Sequence, residues 1–351
     1  MIKEIKLKQF RNHPSLHLKI QNKRVFIFGN NGLGKTSILE GIYFASLTKS
    51  HRTSEDKALI MTGKPYAKVE ITTDQHQYQV VISEAGTKAS IDKVQISKMS
   101  EYINGYRVVM FSPEDLDLIK GQPADRRQFL DIEMSQIHKP YMLVLSKYKQ
   151  ILKQRNALLK NLTLNDDMTF FKIITEQLSI IADEMIEKRT SFIQKLNQAF
   201  KIRFKAFNDV DEVSVSYEPN VVLNSLKQVL NDKKEKDILS QTTSFGPHRD
   251  ELRFDFNGQE AKTYASQGQQ RLMVIALKLA LLDIYDSDQI ETIILLDDVL
   301  SELDLDKQQK LLNHLPGKYQ TFISGVETIE IKDMQQIHLT KEHLHGQLKQ
   351  Q

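Results

Sequence analysis

The stretch GNNGLGKTS sets Gly29, Gly34, Lys35 and Thr36 in the spacing G-x-x-x-x-G-K-[ST]. Glycines so spaced let backbone N–H groups turn inward around phosphate oxygens, with Asn30, Asn31, Gly32 and Leu33 completing the loop. Lys35 is placed to reach the outer phosphates of a nucleoside triphosphate, and the Thr36 hydroxyl to hold Mg2+. The alternative is a glycine-rich turn with no ligand. Both flanks weigh against it: RVFIF reads as a strand before the loop, and SILEGIYFASL as a helix after it.

A second chemical group stands far along the chain. TIILLDDVLSELD runs through apolar residues from Ile293 to Leu296 and then presents Asp297 and Asp298. A buried parallel strand ends this way when it delivers carboxylates to the edge of its sheet. Asp297 is the candidate for Mg2+, directly or through water, and Asp298 the candidate for polarising an attacking water. Two aspartates in a surface turn are the bland alternative, which the phosphate loop makes the weaker one. The distance in sequence between loop and acid predicts a discontinuous nucleotide-binding domain with a segment inserted into it.

A third stretch, SQGQQR, opens a long apolar helix without metal ligand, thiol or base. Ser266 and Gln269 have the form of a capping box, in which each side chain bonds the other's backbone N–H. A helix start with Gly268 in its first turn also offers N–H groups and a positive end to an anion. One phosphate cradle is already complete, so a second anion site is redundant within a single copy.

These groups need elements to hold them. Alternation at Leu16, Leu18 and Ile20, at Val25 and Ile27, at Ala67, Val69 and Ile71, and around Tyr78, Val80 and Ile82 predicts strands, with RVVMF (107–111) another. Gly63-Lys64-Pro65 and Glu84-Ala85-Gly86 read as turns. From Pro113 the period becomes helical. Tyr148, Ile151, Leu152, Arg155, Leu158, Leu159 and Leu162 share one face. After LNDDMT (164–169), the run from Ile174 through Leu178, Ile181, Met185, Ile186, Arg189 and Ile193 to Leu196 shares another. Two such helices make an antiparallel hairpin with arms of roughly 30 Å. The expected division is 1–112 for the first part of the head, 113–208 for the helical arm, 209–345 for the rest of the head, and 346–351 for a loosely held tail.

Bulk composition excludes several classes. The 351 residues carry 48 Lys+Arg against 45 Asp+Glu, a net charge of +3, so any basic face must come from local clustering. Cys 0 removes disulfides and thiolate metal sites and suits a reducing cytoplasm. The start MIKEIKLKQF is charged throughout, unlike a signal peptide, and the most apolar stretch, 272–282, is broken by Lys278 and too short for a bilayer. His13, His17, His51 and His248 keep no ligand spacing and read as ordinary surface histidines.

The arrangement resembles the ABC-type ATPase superfamily, whose signature helix begins S-x-G and caps the phosphate held by another subunit. That resemblance gives Ser266, Gly268 and Gln270 the signature's polar positions, with Gln267 in place of its second glycine. It makes SELD (301–304) a candidate D-loop, although Asp304 reads equally well as a helix N-cap. More narrowly, FSPEDLDLIKGQPADRRQFLD, LLDDVLSELD and the stretch from FGPHRDELRF to SQGQQRLMVIALKLA are similar to the RecF proteins of bacteria, over essentially the whole chain.

The resemblance implies an α/β fold, an ABC-type P-loop head with mixed sheet and helices and an inserted helical hairpin. It implies a weak ATPase using ATP and Mg2+ that dimerises with itself on ATP. It further implies binding to single- and double-stranded DNA at gaps, RecR and RecO as partners, RecA loading, and a cytoplasmic, membrane-free setting. Two departures point to slow hydrolysis that serves as a timer. Ser324-Gly325 stand where many of the superfamily place a histidine, and Ser112-Pro113-Glu114-Asp115 replace the usual glutamine loop.

The ATPase subunit of a membrane transporter would keep that histidine and glutamine and lack the hairpin. An SMC-like structural protein would need a far longer heptad insertion. Lys149, Lys153 and Arg155 on the first arm helix, and Arg52 after the cradle helix, are the candidate DNA contacts, to backbone rather than bases. Arg126-Arg127 are expected to anchor the hairpin to the head. GPHRD (246–250) reads either as a turn with an Arg249–Asp250 pair or as a nucleotide-contacting loop, and FRN (10–12) as a turn or a nucleotide contact.

Overall fold

A computed structural model of the chain describes residues 1–53, 55–103, 105–163, 166–285, 290–326 and 333–341. The tail expected beyond residue 345 lies outside them. The chain divides into two compact units, Met1–Asp115 with Tyr285–Gln351, and Leu116–Ile284.

In the first unit the strands sort into two sheets. Strands β1 (Ile2–Phe10), β2 (His13–Lys19), β4 (Tyr66–Thr73), β5 (Gln77–Ser83), β6 (Gly86–Ile91) and β7 (Val94–Ile96) form an antiparallel sheet in the order β2-β1-β4-β5-β6-β7. Its strands alternate buried and open residues, as a sheet with one covered face should. Strands β3 (Arg24–Phe28), β8 (Arg107–Phe111), β12 (Thr292–Leu296), β13 (Gln320–Gly325) and β14 (Met334–His338) form a parallel sheet in the order β14-β3-β13-β12-β8. Here β8 and β12 are buried at every residue, the continuous apolar run that a doubly covered strand requires. The mixed character expected of the head thus arises from two sheets, each of one kind.

Helix α1 (Lys35–Leu47) contacts strands of both sheets and is buried almost all round, with Ile38, Leu39, Ile42 and Phe44 fully covered. Gly41 permits close approach, since a Cβ there would lie 2.8 Å from the Leu7 side chain. The parallel register sets Leu296 opposite both Phe111 and Ile323, and Ser324 opposite Ile27. The ends of β3, β13 and β12 therefore come level at the carboxyl edge, where α/β sheets carry their ligands.

The second unit holds helices α2 (Pro123–Ile137), α3 (Lys139–Leu159), α4 (Thr169–Lys205) and α5 (Gln267–Tyr285), and an antiparallel sheet ordered β11-β10-β9 from β9 (Val213–Glu218), β10 (Glu251–Phe256) and β11 (Gln259–Glu260). The hairpin of α3 and α4 is present, but the boundary expected at 208 is not. Helix α4 runs 37 residues, about 55 Å, and its apolar face continues through Phe200 and Phe204 onto the sheet. The Phe204 ring meets Phe256 edge-on at 6.4 Å, and Asn197 accepts the Val215 N–H at 3.0 Å. The arm is thus one body with the strands that follow it, and the unit closes only at Ile284. Among the described residues no helix is long and apolar enough to cross a membrane.

Candidate functional site

Strand β3 ends at Phe28, and the loop 29–34 turns into α1. Gly34, the residue before the helix, has φ of 84° and touches the turn 11–13, where a Cβ would press on the Asn12 amide at 2.6 Å. Gly32, with φ of 82°, has open space on its Cβ side. Helix α1 has neither a side-chain cap nor an acid in its first turn, so its N–H groups and positive end face the loop. Lys35 is 4% exposed and donates to the carbonyls of Gly29 at 2.7 Å and Asn30 at 3.1 Å. The residues Asn30, Asn31 and Leu33 complete this curve.

The predicted acid meets the predicted hydroxyl. Thr36 Oγ1 donates to Asp297 Oδ1 at 3.0 Å across 261 residues of chain. Ser324 Oγ donates to the same oxygen at 2.7 Å and accepts the Asp298 N–H at 2.9 Å. Burial pushes the Asp297 carboxyl up. The Ser324 and Thr36 hydroxyls oppose the shift, the Asp298 and Glu114 charges add to it, and the outcome is about 6. Asp298 stands at φ of 51°, with Oδ1 buried and making no hydrogen bond. A hydroxyl and a carboxylate that lacks an opposite charge are the oxygen donors a hard divalent cation takes. Thr36 and Asp297 would hold Mg2+, which when bound neutralises charge on the phosphates.

The turn after β1 supports the loop. Asn12 Nδ2 donates to the Gly32 carbonyl at 3.1 Å, and His13 Nε2 lies 3.0 Å from the Gly34 carbonyl. Arg11 grips Glu40 of α1 through two bonds of 2.8 and 2.7 Å. The FRN motif is therefore a buttress of the cradle. His13 is fully buried, against the surface position expected for it.

Ser266 and Gln269 form the expected capping box: Gln269 Oε1 accepts the Ser266 N–H at 2.8 Å, and Ser266 Oγ accepts the Gln269 N–H at 3.3 Å. Ser266, Gln267 and Gly268 are exposed, with nothing near a Cβ at Gly268. Gln270 must be corrected. It is 2% exposed, and its Nε2 donates to the carbonyls of Ala261, Lys262 and Ala265, latching the preceding turn instead of presenting itself to a ligand.

Among the DNA candidates, Arg155 is also corrected. It is fully buried, with Nη1 on Asp237 at 2.8 Å and Nε on Thr175 at 3.1 Å, so no phosphate can reach it. Lys153 is exposed, Lys149 is exposed beside Asp131 at 3.1 Å, and Arg52 lies 3.4 Å from Glu114. Arg126 binds Glu251 and Arg127 the Asp250 carbonyl, so both hold α2 to β10 within their own unit. In GPHRD the partner of Asp250 is Arg189, at 2.8 Å, and Arg249 is exposed. Asp304 caps the helix α6 (Leu305–His314) by accepting the Lys307 N–H at 2.9 Å. Ser324 is the residue whose part sequence reasoning missed. Its signal was a hydroxyl at the carboxyl end of the strand YQTFIS, directly after Phe322 and Ile323.

A phosphate loop on β3, an acid pair on β12, an antiparallel sheet sharing α1, and a capped, open S-x-G helix start together define an ABC-type P-loop ATPase head. The profile of the RecF/RecN/SMC N terminal domain family matches residues 1–347. The "DNA replication and repair protein RecF" of Acholeplasma laidlawii is 46% identical over 325 residues, 92% of this chain and 93% of its own. That of Bacillus cytotoxicus is 38% identical over 359 residues, 96% of each chain. A solved structure of "the recombination mediator protein RecF-ATP in RecFOR pathway" superposes with a TM-score of 0.87 at 27% identity, over 94% of this chain and 93% of that one. The Smc head domain of Pyrococcus furiosus, at 16% identity and TM-score 0.50 over 93% and 89%, shares the fold. The chain belongs to the RecF family.

Proposed function

We propose that this protein is an ATP-gated DNA-binding protein of replication and recombinational repair, a weak ATPase in which two copies share ATP. The bond between Thr36 and Asp297 carries the reading, because it joins the loop that takes the phosphates to the acid strand at one sheet edge. In this reading Lys35 and the loop 29–34 hold the phosphates, Thr36 and Asp297 hold Mg2+, and Asp298 polarises the attacking water. The exposed Ser266 and Gly268 of one copy close over the ATP of the other. Support for sharing is that this helix start is open and uncharged.

DNA lies against backbone-binding cations, among them Lys149, Lys153 and Arg52, without base readout. The relatives' names speak of DNA replication and repair and of recombination mediation in a RecFOR pathway. The family resemblance extends the proposal to gapped, single- and double-stranded DNA as the substrate, RecR and RecO as partners, RecA loading as the outcome and the cytoplasm as the setting. Slow hydrolysis then times release. The test is DNA affinity with and without ATP across a salt series. Affinity that rises with ATP and falls with salt is expected, and binding indifferent to nucleotide contradicts the proposal.

A further inference from the structure

Strand β13 lies between the strand that feeds the phosphate loop and the strand that ends in the acids. Its register pairs Ile323 with Leu296, the last residue of β12, so Ser324 falls level with Asp297. The side chain is 1% exposed and engaged on two consecutive residues. Its one proton goes to Asp297 Oδ1, and a lone pair takes the Asp298 N–H. Neither is available for an outer phosphate, unlike the histidine expected at this place in the superfamily.

The two bonds do different things. Thr36 donates to the same Asp297 oxygen, but a threonine that holds a cation must offer its oxygen, so that bond is the one a cation replaces. The Ser324 bond competes with nothing and can persist. The bond to the Asp298 N–H secures a turn in which Asp298 takes φ of 51°, a region disfavoured for a residue with a Cβ. That turn decides where the Asp298 carboxylate points, and its Oδ1 has no hydrogen bond of its own.

We infer that Ser324 is a positioning residue of the ATPase: it holds Asp297 toward Thr36 and locks the turn that aims Asp298. This rests on the roles of Asp297 and Asp298 proposed above. Removing the partner that orients a metal-holding group lowers metal affinity or activity by about 10- to 100-fold. The test uses the full chain as Ser324→Ala, Ser324→Cys and Ser324→Thr, with Asp298→Asn beside them. Steady-state kcat and KM are measured, together with the Mg2+ dependence of binding a fluorescent ATP analogue.

Ser324→Ala is expected to lower kcat about tenfold with KM little changed, and to raise the Mg2+ midpoint several-fold. Analogue binding in excess EDTA should stay at the wild-type level. Ser324→Cys, which replaces the hydroxyl by a somewhat larger group and a weaker donor, is expected between the wild type and Ser324→Ala, and Ser324→Thr close to wild type. The inference is overturned if both Ala and Cys variants keep the wild-type kcat and Mg2+ midpoint while Asp298→Asn blocks hydrolysis. It is equally overturned if they only melt earlier, with the midpoint unmoved. Normal hydrolysis by Asp298→Asn instead brings down the underlying reading.

Discussion

Arg189 in the second unit and Asp297 in the first are both almost fully buried, yet only Arg189 meets an opposite charge. Its guanidinium binds Asp250 at 2.8 Å, Asp131 at 2.9 Å and the Pro247 carbonyl at 2.8 Å, and its Nε donates to Tyr141 OH at 3.0 Å. Arg155 repeats the pattern with Asp237, Thr175 and the face of Phe171. Burial works to raise the Asp131 carboxyl, but the charges of Arg189 and Lys149 hold it below the ordinary value. Asp297 has two hydroxyl donors and acidic neighbours, and moves the other way. Lys35, as deeply buried, has only carbonyls. Paired buried charge fixes the geometry of one unit. In the other, Lys35 and Asp297 are buried without an opposite charge, and in the proposed function a triphosphate and its cation would supply what is missing.

The largest test of this contrast is Arg189→Met. It strands Asp131 and Asp250, and unfolding free energy should fall by about 3–5 kcal/mol in a denaturant titration. A loss below about 1 kcal/mol would erase the contrast.

Asp297→Asn should act in the opposite sense. Its carboxyl titrates near 6 in the fold against an ordinary 3.8, so between those values the native state binds more protons than the unfolded one. Stability contributed by this group is present below the lower value and is lost as pH rises through about 6, a difference of roughly 3 kcal/mol at neutral pH. Without nucleotide, Asp297→Asn should therefore melt above the wild type at pH 7 and level with it near pH 4. A variant less stable than wild type at pH 7 contradicts this.

Lys35→Ala should leave the melting temperature near wild type yet weaken ATP binding at least about tenfold by calorimetry, roughly 1.4 kcal/mol. Unchanged affinity would remove Lys35 from the site. The smallest effect is expected at Asp304→Ala, which loses an exposed cap. Melting should fall by a few degrees with ATP affinity unmoved, and a drop in affinity would draw that loop into the nucleotide site.

The cradle, the acid strand and the capping box were legible because each is written in a few neighbouring residues whose spacing the chemistry dictates. Misreadings came where a polar residue sits on a buried face. Arg155 shares the rhythm of Ile151, Leu158 and Leu159, so its face was legible, but its partner Asp237 is distant and the helix read as basic. Gln270 leads the buried series Met273, Val274 and Leu277, yet its place beside Ser266 drew it into the signature. The extent of the second unit was hidden because Phe204 and Phe256 meet through tertiary packing, which periodicity within α4 does not report.

The sharing of ATP between copies is tested most directly by sedimentation velocity with a slowly hydrolysed ATP analogue, on the wild type and on Ser266→Arg. The wild type should shift to a dimer, while Ser266→Arg should bind the analogue with wild-type affinity and stay a monomer. A Ser266→Arg protein that dimerises as the wild type does would contradict the shared site.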